Sequence, residues 1–152
     1  MSDAEARKAA LDPAESFIVQ APAGSGKTEL LIQRYLALLA TVQQPEQVVA
    51  ITFTRKAAAE MRRRVLRALR SAGENTPSAE AHERTAFDLA RAVIARDREH
   101  DWQLLEQPQR LRIDTLDAFN AWLARQLPVL ADGVAAADVA DKADDLYAHA
   151  AR

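Results

Sequence analysis

The chain contains no cysteine, which excludes a disulfide framework and any metal site built on thiolates. Aromatic residues are scarce at 5%, and much of the apolar content is alanine and leucine, a balance that favours helices packed on a modest sheet. Apolar runs are short. None approaches the roughly 20 residues of a membrane-spanning helix, and the opening Met1-Ser2-Asp3-Ala4-Glu5 lacks the basic and apolar regions of a signal peptide. The expectation is a soluble, cytoplasmic protein with no membrane partner. Charge of one sign is lacking too: 20 basic against 22 acidic residues leave a net −2, so overall charge does not announce a nucleic-acid binder. What is present is 152 residues with 49% hydrophobic content, about one domain and enough to bury a core.

Glycine occurs four times, and two of the four stand in one loop. Gln20-Ala21-Pro22-Ala23-Gly24-Ser25-Gly26-Lys27-Thr28 lies between a short apolar run, Ser16-Phe17-Ile18-Val19, and an amphipathic run from Glu29 to Ala40. That order predicts strand, tight loop, helix. Gly24 and Gly26 tolerate positive φ, so backbone N–H groups can turn inward and an anion can come close. A helix opening at about Gly26 adds unpaired N–H groups and the positive end of its dipole. The loop therefore reads as a phosphate cradle. Lys27 supplies a point charge for outer phosphates, and the Thr28 hydroxyl is a hard oxygen ligand suited to Mg²⁺. In the pattern G-x-x-x-x-G-K-[ST] the first glycine position is here Ala21. The bland alternative is a glycine turn closed by a solvent lysine.

Along the chain, Ser2 to Leu11 predicts a first helix ended by Asp12-Pro13. After the loop, Leu30, Leu31, Tyr35, Leu38 and Leu39 recur at helical steps as a core-facing stripe. Val48 to Thr54 is a continuous β-branched run of the kind expected in a parallel strand covered on both faces. The strand-helix-strand crossover should be right-handed. Ligands then gather at the carboxyl ends of the strands. There stand Thr52, Phe53, Thr54, Arg55 and Lys56: hydroxyls and cations that can hold phosphates, and a ring that can stack on a base. The helix from Arg55 to Ser71 carries seven basic residues and one acidic, Glu60. Its outer arginines are either a solvated face or phosphate contacts.

A polar break, Ser71 to Ser78, precedes a helix from Ala79 to about Glu99, and Trp102 to Leu105 reads as a short helical piece. His82 and His100 have no ligand-like spacing. Arg110 to Thr115 reads as a third strand, followed by a helix from Leu116 to Leu127 with Leu116, Phe119, Leu123 and Leu127 inward. Thr115, at a strand's carboxyl end, either caps that helix or touches a ligand. After Pro128 the chain becomes alanine-rich, with five aspartates between Asp132 and Arg152.

Three stretches together resemble the first motor domain of UvrD/Rep-type superfamily-one helicases, and among them the AddA and RecB-like helicase-nuclease subunits of double-strand break repair. They are Gln20 to Thr28, then Thr52-Phe53-Thr54-Arg55-Lys56-Ala57-Ala58-Ala59-Glu60-Met61, then Ile113-Asp114-Thr115-Leu116-Asp117-Ala118-Phe119. The resemblance spans most of the chain, and the second stretch is the most specific. It implies an α/β P-loop NTPase fold of RecA-like type, three-layered, with a parallel sheet flanked by helices, incomplete here and continued by a helical C-terminal segment. Residues 1–130 would be a motor-domain portion and 131–152 the start of a following helical subdomain.

By the same resemblance, ATP and Mg²⁺ are the cofactors. Ala23, Gly24, Ser25, Gly26, Lys27, Thr28 and Glu29 would bind the nucleotide, with Lys27 and Thr28 catalytic and Thr28 on the metal. Thr52, Phe53, Thr54, Arg55, Lys56 and Thr115 would touch single-stranded DNA, and a second helicase or nuclease subunit would be a partner.

The sequence departs from that pattern in three places. Ala6 stands where a glutamine that reads adenine is expected, and Asp117 where many relatives have histidine. No apolar strand ends in the Asp-Glu pair that would hold Mg²⁺ and orient the attacking water. Val139-Ala140-Asp141 and Asp144-Asp145 lie in alanine-rich, helical surroundings. The expectation is an amino-terminal fragment of a longer DNA helicase acting in repair or recombination, inactive by itself. Two other readings stay open: a small P-loop phosphotransferase, and a non-catalytic nucleotide-binding module.

Overall fold

A computed structural model of the chain describes residues 3–20, 22, 24–77 and 81–126. Its two strands are β1 (Val49–Thr52) and β2 (Arg112–Thr115), paired in parallel with Val49 opposite Arg112 and Thr52 opposite Thr115. Parallel pairing requires a crossover, supplied here by two helices, α3 (Arg55–Gly73) and α4 (Ala81–His100). Upstream lie α1 (Asp3–Ala9) and α2 (Lys27–Leu39), and α5 (Leu116–Gln126) follows β2. The architecture is thus α/β, a small parallel sheet with five helices among the described residues. None of these helices is long and apolar enough to cross a membrane. By contacts the chain divides into two units, residues 1–116 and 117–152.

The core of the first unit is helical. Ile32, Tyr35, Leu36 and Leu39 of α2 meet Met61, Val65 and Leu69 of α3 and Phe87, Ala90, Val93 and Ile94 of α4, with Leu111 and Ile113 joining from the sheet side. Of the expected stripe on α2, Leu30, Tyr35 and Leu39 are buried, whereas Leu31 is half exposed and Ile32 and Leu36 join the core. Trp102 and Leu104 are fully buried without forming the expected helix. Instead Asp101 and Gln103 take positive φ, and the turn is fastened by Trp102 Nε1 donating to the Gln43 carbonyl at 3.0 Å. Arg110 ties the same corner together: it donates to Glu46 at 2.6 and 3.2 Å, to Gln44 Oε1 at 3.0 Å and to the Trp102 carbonyl at 3.0 Å.

Three further expectations are corrected. The run Ser16-Phe17-Ile18-Val19 is not a strand, and Ile18 is 99% exposed. A strand needs a ladder partner for its backbone, and among the described residues the sheet has two strands, neither of which pairs with this run. Arg34 takes over part of the upstream backbone instead, donating to the carbonyls of Ala10, Asp12 and Glu15 at 2.5, 3.1 and 2.6 Å while its guanidinium lies over the Phe17 ring. β1 is covered on one face only, because Val49 and Ile51 stay exposed where Ala50 packs on the core. In α5 no residue is buried, so the expected inward face of Leu116, Phe119 and Leu123 is not seen; Leu127 lies outside the described residues.

Candidate nucleotide and DNA site

The loop before α2 has the backbone that its glycines were expected to allow. Gly24 and Gly26 both sit at φ 79°, a left-handed conformation in which an L side chain is strained. At Gly24 an added Cβ would meet nothing within 4 Å, so the backbone conformation and not crowding demands glycine there. Gly26 stands at the N-cap of α2 and, having no side chain, makes no side-chain cap hydrogen bond to its first turn. Lys27 Nζ donates to the Pro22 carbonyl at 2.6 Å, across the loop. The Ser25 hydroxyl is buried with no hydrogen-bond partner, while Thr28 is exposed. Main-chain amides, an ammonium, an exposed threonine hydroxyl and an unsatisfied serine hydroxyl form a donor set that fits a phosphate chain with a hard cation.

The loop is also gripped from outside. Arg7 of α1 donates through Nη2 to the Ser25 carbonyl at 2.5 Å and through Nε to Asp3 Oδ2 at 2.8 Å. A cleft of about 260 Å³ opens beside it, walled by Ala6, Arg7, Phe17, Val19, Lys27 and Leu30 among others. Sequence reasoning missed Arg7. The four-residue spacing of Asp3 and Arg7 is a legible helix pair, but nothing in the sequence signals a reach of 18 residues to Ser25. Glu29, expected among the nucleotide ligands, stands 3.9 Å from Arg64 of α3 and accepts from Gln33 of α2 at 3.4 Å. Ala23 lies outside the described residues.

At the carboxyl ends of the strands the register brings Thr52 and Thr115 together as direct partners. Thr52 donates to the Thr54 carbonyl at 3.1 Å, and Thr54 caps α3 by accepting from the Ala57 amide at 3.1 Å. Phe53 projects between them, 93% exposed, and Arg55 and Lys56 follow as exposed cations. Five of the residues expected to touch DNA therefore share one strand end with the sixth, Thr115. The rest of α3 is less available. Arg62 donates to the Ile113 carbonyl at 2.7 Å and approaches Asp114 at 3.7 Å. Arg63 and Arg64 both hold Glu60, and their hydrogen bonds bring its carboxyl down to about 2. Arg67 and Arg70 remain exposed.

The described residues thus combine a glycine loop opening a helix with hydroxyls and a ring at the carboxyl end of a parallel strand, in an α/β architecture. The chain belongs to the UvrD/REP helicase N-terminal domain family, whose model matches residues 2–148. It is similar to an ATP-dependent helicase/nuclease subunit of Clostridium perfringens, 39% identical over 82 residues that make up 52% of this chain and 6% of that protein. It is 49% identical over 55 residues to the same-named protein of Levilactobacillus brevis, covering 36% of the chain and 4% of the relative. It is also 47% identical over 60 residues to DNA helicase II of Salmonella typhimurium, covering 39% of the chain and 8% of that relative. The matched stretches thus span under a tenth of the length of these relatives. No solved structure matches the chain.

Proposed function

We propose that these residues form the ATP-binding, single-strand-gripping part of the first motor domain of a DNA helicase. The fold would be the P-loop, RecA-like one, with residues 1–130 in the motor domain and 131–152 beginning a helical subdomain. Gly24 to Thr28 would hold the phosphates, with Thr28 on Mg²⁺, and bound Mg²⁺ would supply charge neutralisation for phosphoryl transfer to water. Thr52 to Lys56 and Thr115 would hold the DNA strand. The relatives' names, a helicase/nuclease subunit and a DNA helicase, support DNA as the substrate and a further helicase or nuclease subunit as a partner; the role proposed for the chain is in repair or recombination, in the cytoplasm.

The observation that carries this reading is the pairing of Thr52 with Thr115, with an exposed Phe53 next along the chain. A small phosphotransferase has no use for it, whereas a single strand needs hydroxyls for its phosphates and a ring for its bases. Neither described strand ends in a carboxylate, so the chain by itself should bind MgATP weakly and neither turn it over nor unwind DNA. The test is titration of the purified chain with labelled oligothymidylate at low salt. Phe53→Ala should weaken binding about tenfold, in line with roughly 1–3 kcal/mol per stacked base. Unchanged binding, or DNA-stimulated ATP hydrolysis abolished by Lys27→Ala, would refute the respective half of the proposal.

A further inference from the structure

We propose that Arg7 is a positioning residue of the phosphate loop, which fixes the direction of the Gly26 amide by gripping the Ser25 carbonyl. The inference rests on the reading of that loop as a phosphate site. A trans peptide is planar, with its C=O and N–H pointing to opposite sides. The Ser25 carbonyl and the Gly26 N–H belong to one such peptide. Anchoring the carbonyl toward α1 therefore turns the amide the other way.

The chain at this point cannot fix that orientation by itself. Turning a peptide over changes the ψ of the residue before it and the φ of the residue after it, and Gly26 accepts either sign of φ. Its observed φ is 79°, so an external contact must select that side. Arg7 supplies it: Nη2 stands 2.5 Å from the Ser25 carbonyl oxygen, and Nη1 and Nη2 lie 3.5 and 3.7 Å from where a Gly26 Cβ would be. The guanidinium thus packs on the Cβ side of the glycine as well as on the carbonyl. Asp3 sets the guanidinium in turn, accepting from Nε at 2.8 Å from one helical turn upstream, which leaves the Nη groups for the loop. The relay Asp3, Arg7, Ser25 carbonyl ends on an amide of the candidate cradle, and it also brings a fixed positive charge beside it.

The experiment compares wild type, Arg7→Ala, Arg7→Lys, Asp3→Asn and Lys27→Ala in the 152-residue chain. Two probes are titrated at up to millimolar concentration, MgATP and magnesium tripolyphosphate, and are read by the shift in Tm and by the Gly26 amide resonance in a proton-nitrogen spectrum. Arg7→Ala should weaken both probes about tenfold, the effect of losing a charge-assisted hydrogen bond. The Gly26 resonance should move before any probe is added and then respond less to tripolyphosphate. Arg7→Lys should recover part of the affinity, and Asp3→Asn should fall between that and wild type. Should Arg7→Ala not fold, Asp3→Asn and Arg7→Lys carry the same comparison.

Wild-type affinity for both probes in Arg7→Ala, with an unmoved Gly26 resonance, would overturn the proposal. So would a loss confined to MgATP, because Arg7 would then read the base in the adjoining cleft and not position the loop. The loop reading fails separately if Lys27→Ala binds both probes like wild type, or if wild type binds neither.

Discussion

The glycine loop before α2 is shaped by side chains that clasp its carbonyls, Arg7 on Ser25 and Lys27 on Pro22, whereas the strand end is shaped by the strands themselves, Thr52 facing Thr115 and Thr54 capping α3. The first region owes its form to two glycines at positive φ and would relax if its clasps were cut. The second is a by-product of sheet register: Thr52 cannot leave Thr115 without the ladder slipping. The nucleotide and the DNA strand proposed for these regions would thus meet two kinds of support, an adjustable one and a fixed one.

Substitutions can separate the two. The largest effect is expected where both regions depend on one residue. Leu36 is fully buried in the core that joins α2, which opens from the loop, to the sheet. Leu36→Ala should lower stability by about 2–5 kcal/mol in a urea melt, and nucleotide and DNA binding should be lost together. Gly26→Ala should act on the loop alone. An alanine at φ 79° costs about 1–2 kcal/mol, so MgATP binding should drop while oligothymidylate binding stays at the wild-type level. If both fall equally, the two regions are coupled and their supports are not independent. Thr54→Ala should act on the other side. Loss of this N-cap costs about 1 kcal/mol, which Thr54→Ser should restore, and DNA affinity should fall without a change in MgATP affinity.

How far these two regions can be read from sequence follows the same division. The loop is legible because positive φ demands glycine and because the lysine and threonine follow at fixed spacing. β1 is legible within the run Val48 to Thr54 and β2 within the half-polar Arg110 to Thr115, and their parallel pairing sets Thr115 opposite Thr52. Arg7 is not legible: its partner is a backbone carbonyl, which any residue offers, 18 positions away. The approach of Arg64 to Glu29 is not legible for a related reason, since the two lie on different helices. The run Phe17 to Val19 reads as a strand by composition, but composition does not supply a pairing partner. Trp102 reads as part of a helix, yet it is held by a bond to the Gln43 carbonyl, a long-range tie that local periodicity does not encode.

The smallest expected effect concerns acid, and it should touch the strand end before the loop. Glu46 stands just ahead of β1 and Arg110 just ahead of β2, so their ion pair at 2.6 Å helps align the two strands. Hydrogen bonds from Arg110 hold the Glu46 carboxyl below its ordinary range. A carboxylate whose pKa is depressed on folding adds stability above the unfolded value of about 4.3, and that contribution disappears as the pH falls through the lower, folded value. Glu46 is 40% exposed on its side chain, so screening keeps the contribution to roughly 1 kcal/mol or less. Urea melts of wild type and Glu46→Gln from pH 3 to pH 7 should therefore differ most near neutrality and converge in acid. A gap of constant size would show that packing and not charge separates them. Arg110→Ala should cost more than Glu46→Gln at neutral pH, because Arg110 also donates to Gln44 Oε1 and the Trp102 carbonyl, ties that survive protonation of Glu46.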